Sequence, residues 1–218
     1  MDLINNIWML LSTPNEFNTM IFTLPLAFVE LFLFMKIFLV VLELDASKKK
    51  QFLFTILATA TGIISKVIIP SAYNVFSNYF LLFLIAKIIF RVSAFKTVIG
   101  TLISFVISGI VSALVLNPFL TLLNISSETL AITPIYSIAY SLLIYAFLII
   151  IICILKYTNF KITLFNDINS RNKKIIILNF IFATIALSIQ TFILVYYIDN
   201  IPIFITFLGF LSLISYLG

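Results

Sequence analysis

The chain has 218 residues, 63% hydrophobic and 10% charged, against roughly 45–50% and about 25% in an ordinary soluble domain. Seven membrane crossings of about 20 residues each would use about 140 residues, leaving no room for a soluble catalytic domain. Thirteen Lys and Arg against eight Asp and Glu give a formal charge of +5, which in so apolar a chain reports orientation rather than a nucleic-acid partner.

Tall apolar runs rich in Ile, with 24 Phe and only 5 Gly, lack the polar alternation of an outer-membrane barrel. The expected fold class is therefore all-α: a polytopic transmembrane helical bundle of about seven spans, six being the next count. The chain contains no histidine. A His nucleophile, a His metal ligand and a phospho-accepting His are thereby excluded within these residues. Cys153, the single cysteine, lies inside an apolar run, forms no intrachain disulfide and reads as packing.

Residues 2–12 place Leu3, Ile4, Ile7, Trp8, Leu10 and Leu11 on one helical face and Asp2, Asn5, Asn6 and Ser12 on the other. That pattern fits an interfacial helix, or a short helix packed on the bundle. No Lys or Arg precedes Lys36, so the amino end lacks the basic start of a cleavable signal. Thr13-Pro14-Asn15-Glu16 then breaks the chain before the first long run.

Spans are expected at about 20–42, 51–69, 73–90, 97–122, 135–155, 175–197 and 201–218, after an outer segment 1–16, all within a single integral membrane domain 1–218. The third is the shortest, because Asn74, Ser77 and Asn78 interrupt it. Lys48, Lys49, Lys50, Arg91, Lys96, Lys156, Lys161, Arg171, Lys173 and Lys174 fall in alternate loops, whereas 70–78, 123–134 and 198–202 contain no Lys or Arg. The positive-inside rule then places the amino end outside and the carboxyl end inside a multi-pass cell-membrane protein. Lys66 and Lys87 read as snorkelling anchors.

Glu30 falls near the middle of span one, where an ionisable group is costly enough to be a functional candidate. A hydrogen-bonded structural Glu is the alternative. Lys36, roughly 9 Å further along the helix, can snorkel towards the interface. It lies about 240° around from Glu30 and cannot pair with it, so partners for Glu30 have to come from other spans. Asn117, before Pro118 in span four, and Gln190 in span six are further ligand or switch candidates, able to face an outward-opening pocket or simply to satisfy their own helices. Gly100, Ser104, Ser108 and Ser112 recur at four-residue spacing in span four, as small residues do where helices approach closely, either inside the bundle or on a homodimer face. The segment 157–174 alternates basic and apolar residues, as a stretch lying on an anionic leaflet does. No phosphate-binding loop, metal-ligand spacing or catalytic triad is present, so no catalytic residue, cofactor or metal is expected.

Asn5-Asn6-Ile7-Trp8-Met9 with Ser12-Thr13-Pro14-Asn15-Glu16, Leu164-Phe165-Asn166-Asp167 before Asn172-Lys173-Lys174, and Asp199-Asn200-Ile201-Pro202-Ile203-Phe204-Ile205-Thr206 resemble the membrane sensor region of Gram-positive sensor histidine kinases with a GHKL-type ATPase domain, of the accessory-gene-regulator type. The resemblance implies a quorum-sensing input module of a two-component system. Its partners would be the lipid bilayer, an extracellular peptide or small-molecule signal, a second copy in a homodimer, and a cytoplasmic kinase domain that follows the last span. Span seven is expected to run from near Pro202 to the inner face at Gly218, where that cytoplasmic part would begin. No kinase motif matches any position here, so none is carried over. The alternative from another class is the substrate-binding integral subunit of a small-molecule transporter. An intramembrane peptidase or transferase lacks the necessary His or paired Asp residues in the spans.

Overall fold

A computed structural model describes residues 2–68 and 71–158. They form seven helices: α1 Asp2–Ser12, α2 Glu16–Val41, α3 Lys48–Ile68, α4 Ser71–Phe90, α5 Ala94–Leu123, α6 Ser127–Ile132 and α7 Pro134–Tyr157. Among the described residues there is no strand. The expected spans at 175–197 and 201–218 lie outside them, as do Gln190 and most of 157–174.

Local chemistry sets the helix ends. Asn15 caps α2 by accepting the Asn18 N–H at 3.1 Å, with Glu16 in the first turn, where an acidic group complements the helix dipole. Ser93 accepts from the Lys96 N–H at the start of α5, and Pro134 opens α7 at a position that needs no N–H. At the other ends Glu43, Arg91 and Asn124 adopt left-handed backbone with φ of 51°, 54° and 52°. After α2, Leu44 N–H reaches Leu39 C=O at 2.9 Å and Glu43 N–H reaches Val40 C=O at 3.2 Å. That is a Schellman closure, usually built on Gly.

Three of these helices, α2, α5 and α7, are long and apolar enough to cross a membrane. α3 begins with three lysines, and α4 contributes an apolar stretch, Ser77–Phe90, among the described residues. The described residues are thus all-α, and three of their helices suggest a membrane protein.

α2 is the central element, packing against α7, α3 and α5, while α3 packs on α4, α4 on α5 and α5 on α7. Its two sides serve two cores. Leu33, Ile37 and Val41 meet Val111 and Val115 of α5 and Ile144, Tyr145, Leu148 and Ile152 of α7. Phe34, Phe38 and Leu39 meet Phe54 and Ala58 of α3 and Leu82, Ala86 and Ile89 of α4. Phe90 stacks against Phe38 and tilts against Phe54, both at 5.5 Å between ring centroids. α1 rests on α7 and α2, with Trp8 and Met9 exposed.

Cys153 is exposed on α7 because Ile152, one residue and about 100° away, takes the buried face.

Candidate functional site

Glu30 occupies a defined place in the α2 stripe. Leu26, Leu33, Ile37 and Val41 all belong to the core shared with α5 and α7, and Glu30 stands between Leu26 and Leu33 at the same helical spacing. Leu33 is buried whereas Glu30 is exposed, with Leu26 half-buried above it. Along this stripe full burial begins at Leu33. From the α7 side, Tyr140 and Tyr145 lie close enough to interact electrostatically with the Glu30 carboxyl. These are partners from another span.

Both phenols also tie helices together. Tyr145 donates its hydroxyl to the Leu26 carbonyl of α2 at 2.7 Å, and Tyr140 donates to the Ser112 carbonyl of α5 at 3.0 Å. The Tyr140 ring packs beside Phe119, with 5.7 Å between centroids. Each acceptor helix contains an internal proline, Pro25 in α2 and Pro118 in α5, where a helix is easily bent.

The small-residue stripe of α5 is used inside the chain. Gly100 and Ser104 are buried. A Cβ at Gly100 would stand 2.6 Å from Leu42 Cδ1 and 2.8 Å from Phe38 Cε2, closer than carbon atoms approach, so hydrogen at this position is what lets α2 and α5 meet. Ser104 donates to the Gly100 carbonyl at 2.8 Å. Thr97 and Thr101, alongside the stripe, donate to Ser93 and Thr97 carbonyls in the same way, which satisfies buried hydroxyls without a partner helix. Ser108 is half-buried, and so is Ser112, whose carbonyl takes the Tyr140 bond.

Asn117 is not brought to Glu30. Val115 and Phe119 carry the buried face of outer α5. Asn117 lies about 200° from each of them and is exposed.

A second polar region, missed by sequence reasoning, lies at the lysine-rich end of the bundle. A cavity of about 430 Å3 is lined by the end of α2, the α2–α3 connection, the start of α3 and the end of α7. Lys36 donates to Gln51 Oε1 at 2.7 Å and stands 5.0 Å from the Phe32 ring centroid. Gln51 is held in turn by its Nε2, which donates to the Ala46 carbonyl at 2.7 Å. Lys156 of α7 lines the same cavity with Glu43 and Asp45, and both Lys156 and Lys48 act electrostatically on Lys36. Lys36 read alone as a snorkelling residue. Its neighbours come from two other helices and no local spacing announces them.

Among the described residues no group of His, Cys, Asp and Glu could hold a metal ion. Compared with protein-family models, with curated proteins and with solved structures, the chain finds no match.

Proposed function

We propose that the chain is the membrane input module of a two-component sensor histidine kinase of the GHKL type, detecting an extracellular peptide or small apolar signal at the cell membrane of a Gram-positive bacterium. On this reading the bundle crosses the membrane seven times, with its amino end outside and its carboxyl end inside, and works as a homodimer. The phospho-accepting histidine is supplied from outside these residues, since they contain none.

The observation that carries the reading is Glu30 opposite Tyr140 and Tyr145. An ionisable group inside an apolar span is expensive, and its usual justification is a ligand or a switch. A signal with an apolar body and a donor group, such as a peptide amide or amine, suits a carboxyl on an apolar helix with two phenols near it. Binding there biases α2 against α7 if the two arrangements of that pair differ in affinity for it, which is the thermodynamic requirement for transmission.

The test is to join a GHKL-type kinase directly after Gly218, in several helical registers, and to apply culture medium from the source strain. Signal-dependent autophosphorylation in at least one register supports the reading. No response in any register, together with co-purification of the unfused chain with transporter ATPase subunits, replaces it with the transporter-subunit alternative.

A further inference from the structure

The cavity at the lysine-rich end has a lining of both signs. Lys36 and Lys156 contribute two ammonium groups, while Glu43 and Asp45 contribute two carboxylates. Helix ends of both polarities meet there too, since α2 finishes at Val41 and α3 starts at Lys48, and the two ends carry opposite partial charges. A purely anionic ligand would meet the carboxylates, and a purely cationic one the lysines. A zwitterion matches both.

Lys36 is set up for an anion. Its contacts among the described residues are a neutral amide and a ring face, and an ammonium has three donors, of which Gln51 uses one. Glu43 holds its place at a cost, because the left-handed position that closes α2 is one that Gly occupies without penalty. The remaining wall is apolar, with Leu39, Val40 and Leu155. These side chains belong to the ends of α2 and α7, both long and apolar enough to span, so the cavity opens where lipid headgroups lie. Its volume falls among those of small-molecule sites, roughly 300–1,000 Å3.

We propose that this cavity seats the headgroup of an amine-bearing phospholipid of the phosphoethanolamine type, its phosphate between Lys36 and Lys156, its amine at Asp45, and its first acyl methylenes on Leu39, Val40 and Leu155. The site is independent of what signal, if any, binds at Glu30. It couples lipid composition to the junction of α2, α3 and α7.

The full chain in mild detergent, offered equal amounts of phosphatidylethanolamine, phosphatidylglycerol and phosphatidylcholine with identical acyl chains, should retain the first about tenfold over the others by native mass spectrometry, the equivalent of 1.4 kcal/mol. Lys156→Gln and Asp45→Asn change exposed side chains and leave the packed core intact. The first should weaken phosphatidylethanolamine retention several-fold, and the second should bring it close to that of phosphatidylcholine, whose quaternary amine donates no hydrogen bond. Equal retention of the three lipids, preference for phosphatidylglycerol, or a phosphatidylethanolamine preference unchanged in both variants would overturn the proposal. So would displacement by free glycerophosphoethanolamine at the lipid's own concentration, which would assign the site to a soluble ligand.

Discussion

Tyr145 donates its hydroxyl to the Leu26 carbonyl across 2.7 Å, joining α7 to α2 one residue beyond Pro25. A single side chain thus binds the two most extensively packed helices beside the carboxyl of Glu30. Tyr145→Phe keeps the ring and its packing while removing the bond. The Leu26 carbonyl keeps its helical environment, so the loss of stability should be about 1 kcal/mol, within the range for hydrogen bonds between membrane helices. Thermal unfolding in detergent measures it, and no change would mean that the bond contributes nothing to the seam.

Gly100 and Gly109 make opposite predictions from the same helix. A methyl at Gly100 collides with Leu42 and Phe38, so Gly100→Ala should destabilise the bundle by about 1–3 kcal/mol, the usual cost of overpacking. At Gly109 a Cβ meets nothing within 4 Å. There Ala should be neutral or should add up to about 1 kcal/mol through helix propensity. Equal unfolding temperatures for the two variants would show that α2 and α5 do not approach closely at Gly100.

Thr133 presents a different imbalance. Its hydroxyl is buried without a hydrogen-bond partner among the described residues, although its backbone N–H is satisfied by Thr129 and its φ and ψ of −106° and 113° are extended. Val has nearly the same shape and favours that backbone. Thr133→Val should therefore raise stability by about 1 kcal/mol, the cost of an unsatisfied buried polar group. A loss of stability would reveal a bond to Thr133 that forms in the membrane.

Sidedness is tested by single cysteines in a Cys153→Ser background. Glu128→Cys, at the start of α6, and Ser47→Cys, before the three lysines, both replace exposed residues. The positive-inside rule places the lysines on the cytoplasmic side. In intact cells an impermeant thiol reagent should label the first and spare the second, and the opposite pattern would invert the topology.

Much of this architecture was readable from periodicity and loop chemistry. The runs at 20–42, 97–122 and 135–155 became α2, α5 and α7, with ends shifted by at most four residues, because helices continue into capping turns that hydropathy does not register. α6 escaped notice because a six-residue helix has no periodicity to detect. Its one local signal was Ser126 three residues before Thr129, which it caps with a bond to the Thr129 N–H at 3.1 Å. Glu30 stood out by its charge, yet Tyr140 and Tyr145 did not, since aromatic residues in an apolar run are unremarkable until packing turns them towards a carboxyl. The lysine-rich cavity was hidden for the same reason: Lys36, Gln51 and Lys156 are far apart in the chain and are gathered by α2, α3 and α7.

The most direct measurement is the dose–response of autophosphorylation in a signal-responsive kinase fusion, comparing the wild-type chain with Glu30→Gln. The substitution keeps the shape of the side chain and replaces a charge-assisted bond by a neutral one, a difference of about 1–1.5 kcal/mol. The signal concentration for half-maximal response should therefore rise about five- to tenfold, with expression and unfolding temperature unchanged. A Glu30→Gln fusion that responds at the wild-type concentration would contradict a signal site at Glu30, Tyr140 and Tyr145.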